Sequence, residues 1–142
     1  MKRWLVRIAL VLVVLFLAIQ LVPVDRENPP VTGKLEAPPD VQALLERSCY
    51  DCHSNETKWP WYSYVAPVSW LVAHDVKEGR EHLNLSTWTS LSANKRAGVA
   101  DEMAEEVEQG KMPMAIYVQM HSEAKIGPAD KALLRRWADD LE

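Results

Sequence analysis

Cys49-Tyr50-Asp51-Cys52-His53 holds both cysteines of the 142-residue chain and sets a histidine directly after the second. Two thiols three positions apart can each add to one vinyl group of a single porphyrin, giving two thioether bonds. The next residue then lies under the ring, where its imidazole can bind iron. The pentapeptide reads as a c-type haem attachment site, with Cys49 and Cys52 as covalent anchors and His53 as proximal ligand. Three other readings compete. A thioredoxin-like dithiol would need a βαβ pattern around it, and none surrounds it. A closed zinc site needs four ligands, but there is no second Cys pair and His74, His82 and His121 form no closely spaced pair. A structural disulfide would close only a very short loop and add little stability.

Outward from this stretch the pattern is helical. Asp40 is placed to cap a short helix whose face carries Val41, Leu44, Leu45 and Ser48, and this helix runs into Cys49. After an aromatic loop with Trp59, Trp61, Tyr62 and Tyr64, Pro67 suits the first turn of a helix reaching about His82. Its expected apolar face is Val68, Leu71, Val72, Val76, Gly79 and Leu83. Asn84 to Leu91 reads as a loop around Trp88. Ser92 can cap the next helix, with Val99, Ala100, Met103, Ala104 and Val107 inward, and Gly110 is a stop signal. A short segment from about Ala115 to Met120 precedes a last helix opened by Gly127-Pro128, with Leu133, Leu134, Trp137 and Leu141 inward. No run alternates with the period of a strand, so the expected fold class is all-α.

A haem iron has room for a second protein ligand. Met103 sits on the core stripe of its helix, His82 and His121 lie in polar company near helix ends, and His74 follows Trp70 on a partly apolar helix. Met112 differs, because it lies beyond Gly110 with Pro113 stiffening the backbone behind it. A thioether is best brought to iron by such a non-helical segment. Met112 is therefore the expected sixth ligand, with Met114 next and a core-filling methionine as the plainer alternative. Arg80 is a candidate for holding a haem propionate through its guanidinium, or else a surface arginine paired with Glu78 or Glu81. Trp59, Trp61 and Tyr62 could donate to the same propionates or simply pack.

The chain ends differ in character. Lys2, Arg3 and Arg7 precede an apolar run from Ile8 to Val22 broken only by Gln20. Residues 1–22 are expected to be a single-pass inner-membrane anchor that leaves the domain in the bacterial periplasm. A cleaved signal peptide releasing a soluble periplasmic domain is the alternative. Residues 23–39, with five prolines and Gly33, read as a semi-rigid spacer, and residues 40–142 as the domain. The three early cations leave 13 basic against 20 acidic side chains, a net of −7, which argues against nucleic acid as a partner.

Cys49 to Thr57, Trp59-Pro60-Trp61-Tyr62, Pro67, Ser69-Trp70, Gly79-Arg80, Asn84, Ser86 and Trp88 together resemble the bacterial haem-binding domain family. Met112-Pro113, Tyr117, His121 and Trp137 fit its second half, so the resemblance covers about residues 36–140. One departure is Gly127-Pro128, where a Leu-Ser pair commonly opens the last helix. The resemblance implies a small cytochrome c-like domain, often behind one N-terminal membrane segment, binding haem through Cys49, Cys52 and His53. It implies no particular reaction. Single-electron transfer to and from a redox partner protein is the expected function, since His/Met ligation raises the potential and fills the iron. A haem sensor or peroxidase-like enzyme, with an open or displaceable sixth position, is the alternative.

Overall fold

The computed structural model describes residues 2–141 and contains helices but, among those residues, no strand. Helix α1 spans Lys2–Ile19, α2 Pro39–Ser48, α3 Tyr50–His53, α4 Val68–His82, α5 Ala93–Glu108, α6 Ala115–Met120 and α7 Pro128–Asp139. Short 3-10 turns lie at Trp61–Tyr64, Trp88–Ser90 and Ser122–Ala124.

The membrane anchor expected at the N-terminus is corrected by α1 itself. No helix among the described residues is long and apolar enough to cross a membrane. Three of the first six residues of α1 are basic, so its apolar part is only Ile8–Ile19, about 18 Å of helix against a hydrocarbon layer of about 30 Å. The inner-membrane and periplasmic assignments built on that segment lose their footing. Gln20 then ends the apolar run by turning to the body, its amide donating to Ala66 O (3.2 Å) and accepting from Ala66 N (2.9 Å).

The proline-rich stretch after α1 forms no helix, yet it does not hang free as a spacer would. Gly33 N donates to Ser86 O (2.9 Å), Leu35 N to Leu85 O (2.8 Å), and Thr89 N returns to Gly33 O (3.1 Å). A Cβ on Gly33 would stand 2.1 Å from Thr89 Oγ1, so a larger residue there would force the Thr89 side chain to shift. Leu35 is wholly buried, which makes the stretch part of the core it leads into.

That core joins α2, α5 and α7. It contains Val41, Leu44 and Leu45, then Ala100, Met103, Ala104 and Val107, then Leu134, Trp137 and Ala138. Leu35, Tyr50, Leu85 and Trp88 complete it, the Trp88 and Trp137 rings lying 6.1 Å apart. The inward faces expected for α2 and α5 are the buried ones, except that Val99 is only half-buried. Ser92 Oγ accepts from Lys95 N to cap α5, and Gly110 leaves it at φ 73, the left-handed backbone glycine tolerates.

Three local expectations need correction. Pro39, not Asp40, begins α2. Helix α4 keeps only part of its expected face: Val76 and Gly79 are buried as expected and Val72 and Leu83 half-buried, but Val68 and Leu71 are exposed and Ser69 is buried instead. Small side chains face inward there because α4 packs closely on α3. Leu141 lies past the end of α7 and is exposed. The Gly127-Pro128 opening is an ordinary helix start, in which Gly127 N donates to Asp130 Oδ2 (2.9 Å) and Arg47 pairs with the other carboxylate oxygen (2.7 Å).

Candidate functional site

Cys49 is the joint between α2 and α3. Its carbonyl accepts from Cys52 N (3.2 Å) and His53 N (2.9 Å), so one helical turn presents Cys49, Cys52 and His53 to a single cavity of about 550 Å3. The far walls come from α4, α5 and the Met112–Met114 turn, with Tyr117 at the edge.

His53 is held by two backbone carbonyls, one in α4 and one on the residue after it. Its Nδ1 lies 2.9 Å from Gly79 O and 3.3 Å from Leu83 O, and since carbonyls only accept, Nδ1 must carry the hydrogen. That leaves the Nε2 lone pair uncommitted. Burial lowers the basicity of the ring, and the two carbonyl bonds offset this only in part, so the neutral form prevails near pH 7.

The thiols behave differently from a redox pair. Burial pushes Cys49 up to about 12 and Cys52 up to about 11, and they are not joined in a disulfide. A reactive dithiol needs a depressed thiol pKa, so the thioredoxin-like reading fails on chemistry as well as fold. Among the described residues no three His, Cys, Asp or Glu side chains cluster as metal ligands.

Gly79 sets the distance between α3 and α4. A Cβ there would lie 2.6 Å from the Cys52 carbonyl oxygen and 3.1 Å from its carbon, backbone atoms that no rotamer change can move. Gly79→Ala should therefore lower stability. Overpacking of about 1–3 kcal/mol outweighs the gain of up to about 1 kcal/mol from removing a helical glycine. A urea midpoint equal to or above that of the wild type would contradict the close packing.

Met112 and Met114 both line the cavity, on either side of Pro113; Met112 is 37% exposed and Met114 half-buried. Met103 also faces it from α5 while belonging to the core. Of the histidines weighed as ligands, His74 is exposed and pairs with Glu78 (3.4 Å), and His82 is an exposed residue at the rim. His121 has both ring nitrogens engaged, by Tyr62 Oη (2.7 Å) and Glu123 Oε1 (3.1 Å). The fold thus gathers Cys49, Cys52, His53 and Met112, but not Arg80. The Arg80 guanidinium instead ties the residues after the pentapeptide to the N-terminal stretch. Its Nε donates to Ser54 O (2.8 Å), Nη1 to Glu27 O (2.9 Å), and Nη2 to Asn28 Oδ1 (2.7 Å) and Thr57 Oγ1 (2.9 Å). Trp59, Trp61 and Tyr62 also lie outside the cavity wall.

Sequence reasoning missed two groups at this site. Tyr117 Oη donates to Asp51 Oδ2 (2.8 Å), a pairing across 66 residues that no local pattern signals. Ser48 Oγ is buried in the cavity wall with no hydrogen-bond partner. An orphaned hydroxyl, a neutral imidazole nitrogen, thioethers and a largely apolar wall suit haem, and the volume falls within the usual range for ligand pockets.

The family described as "Haem-binding domain" matches residues 14–140. The chain belongs to that family. Haem-binding domain membership makes haem the cofactor of this protein, and the match begins well before residue 36, taking in the stretch that packs through Leu35. No curated protein and no solved structure matches the chain.

Proposed function

We propose that this haem-binding domain is a cytochrome c-like, mono-haem electron carrier, with the haem in the cavity described above. Cys49 and Cys52 would hold the porphyrin by thioether bonds, and His53 Nε2 and Met112 Sδ would ligate the iron. The observation that carries this reading is the shared turn. Both sulfurs and the imidazole face one cavity, and His53 Nδ1–H is committed to Gly79 O and Leu83 O. Haem supplies a one-electron iron couple when bound. The chain orients the proximal ring through those carbonyls and would surround the group with a largely apolar wall that limits water. The partner is a one-electron redox protein.

A sensor or peroxidase-like role remains a second reading for one reason: Met112 is part-exposed, on a turn a ligand could displace. The test is the alkaline pyridine spectrum of protein produced with a cytochrome c maturation system. The reduced band of a porphyrin with both vinyls saturated supports the thioether assignment; the band of unmodified haem rejects it. Visible spectra of both redox states then separate a six-coordinate low-spin carrier from an open high-spin site.

A further inference from the structure

Helix α6 follows directly from the Met112–Met114 turn, because Met114 O accepts from Tyr117 N (3.0 Å) and Val118 N (3.1 Å). Yet α6 buries none of its residues, and its main packing is on the Ser122–Ala124 turn that follows it. A cavity wall so poor in apolar burial must be held in some other way.

Lys111 N and Met112 N tie the start of the turn to Glu106 O on α5 (3.0 and 3.2 Å), and beyond Met114 two polar contacts hold the segment. Tyr117 Oη donates to Asp51 Oδ2 between the two cysteines, while Asp51 Oδ1 accepts from Lys58 N (3.1 Å), which fixes that carboxylate. Burial and the adjacent Asp51 carboxylate hold the Tyr117 phenol far above its ordinary range, so it remains a donor. The Tyr117 ring also stacks on His121 at 4.3 Å, and His121 Nε2 meets Tyr62 Oη on the Trp61–Tyr64 turn.

We infer that Tyr117 is a positioning residue whose hydroxyl, bound to Asp51, latches the Met112–Met114 wall over the cavity and sets how readily an outside ligand reaches the haem. The inference rests on haem lying in this cavity, as proposed above. Asp51 is thereby both a spacer between the anchoring cysteines and the catch for the opposite wall, joining the two sides of the cavity without passing through the core. A hydrogen bond to a carboxylate shifts an equilibrium by roughly tenfold when partly exposed, enough to change opening of the wall without unfolding the body.

Tyr117→Phe tests this in the full, haem-loaded chain, since it keeps the ring and its stack on His121 and removes only the hydroxyl. Cyanide association with the ferric protein should rise about tenfold, and amides of residues 115–121 should exchange faster. Exchange in α5 and α7 and the urea midpoint should stay near wild type. Asp51→Ala removes this bond together with the Lys58 N contact, so it should raise cyanide association at least as much as Tyr117→Phe, and adding Tyr117→Phe to it should give no further increase. Unchanged cyanide association and unchanged α6 exchange in Tyr117→Phe would overturn the latch. So would faster exchange spread evenly over the body, which would make the hydroxyl a general support of the fold. Amide exchange on the haem-free chain reads the latch separately: if wild-type protein takes up no haem here, the cavity reading fails, while slow α6 exchange that Tyr117→Phe releases still upholds the latch.

Discussion

Replacing Cys49 and Cys52 together by Ala is expected to turn haem that resists acid–acetone extraction into haem that is lost completely. Acid protonates His53 and breaks iron ligation, but it leaves thioether bonds intact. Retention after extraction therefore reads the sulfurs alone. Each single variant keeps one bond and should retain haem with an incompletely saturated porphyrin, visible in its pyridine spectrum. The cavity wall and His53 remain in the double variant, so haem should still bind, now exchangeably. Quantitative release of haem from wild-type protein made with a maturation system would reject covalent attachment. It would leave the haem assignment of the family untouched.

Met112→Ala should have the next largest effect. If the Met112 sulfur ligates iron, its loss leaves His53 as the only strong protein ligand. The potential should then fall by on the order of 0.1 V, because a soft thioether favours the ferrous state and axial ligands govern haem potentials over a range of about 0.8 V. The ferrous variant should gain carbon monoxide binding that the wild type resists. Met114→Ala is the matched control, on the other side of Pro113 and facing the same cavity. A low-spin spectrum and unchanged potential in Met112→Ala, with both lost in Met114→Ala, would move the ligand by two residues. Indifference to both changes would favour the sensor or enzyme reading.

The sequence was most informative where a residue's neighbours in the chain are also its neighbours in space. The apolar faces of α2 and α5, the Ser92 cap and the Gly110 stop depend on local periodicity and backbone conformation, and these are legible. Cys49, Cys52 and His53 share one turn, so their common cavity followed from spacing. Helix α4 misled because apolar residues such as Leu71 defined a face on paper. Val76 and Gly79 on that face are buried as expected, but what Gly79 does, close contact with the Cys52 backbone, leaves no hydropathy signal. Arg80 misled for a related reason: an arginine near a haem motif suggests a propionate, yet its donors were taken by Ser54, Thr57, Glu27 and Asn28. Asp51 and Tyr117 each drew notice, one inside the pentapeptide and one in the family resemblance, but their pairing across 66 residues leaves no local signal. The expected membrane span counted apolar residues to Val22, whereas the helix stops at Ile19 and carries three cations.

The close packing of residues 30–35 has a consequence in time. Gly33 and Leu35 find their partners at Leu85, Ser86 and Thr89, some fifty positions later in the chain. At about 5–20 residues per second, a ribosome needs roughly 3–10 s to supply them. His53 likewise waits for Gly79 and Leu83, 26 and 30 residues downstream, before its ring can be oriented. During that interval both thiols have been made, but the wall that buries them has not. Until Gly79, Leu83 and the residues after them have folded into place, the thiols are not buried and the His53 ring is not oriented, so the cavity exists only once the chain from Gly33 to Met114 has come together.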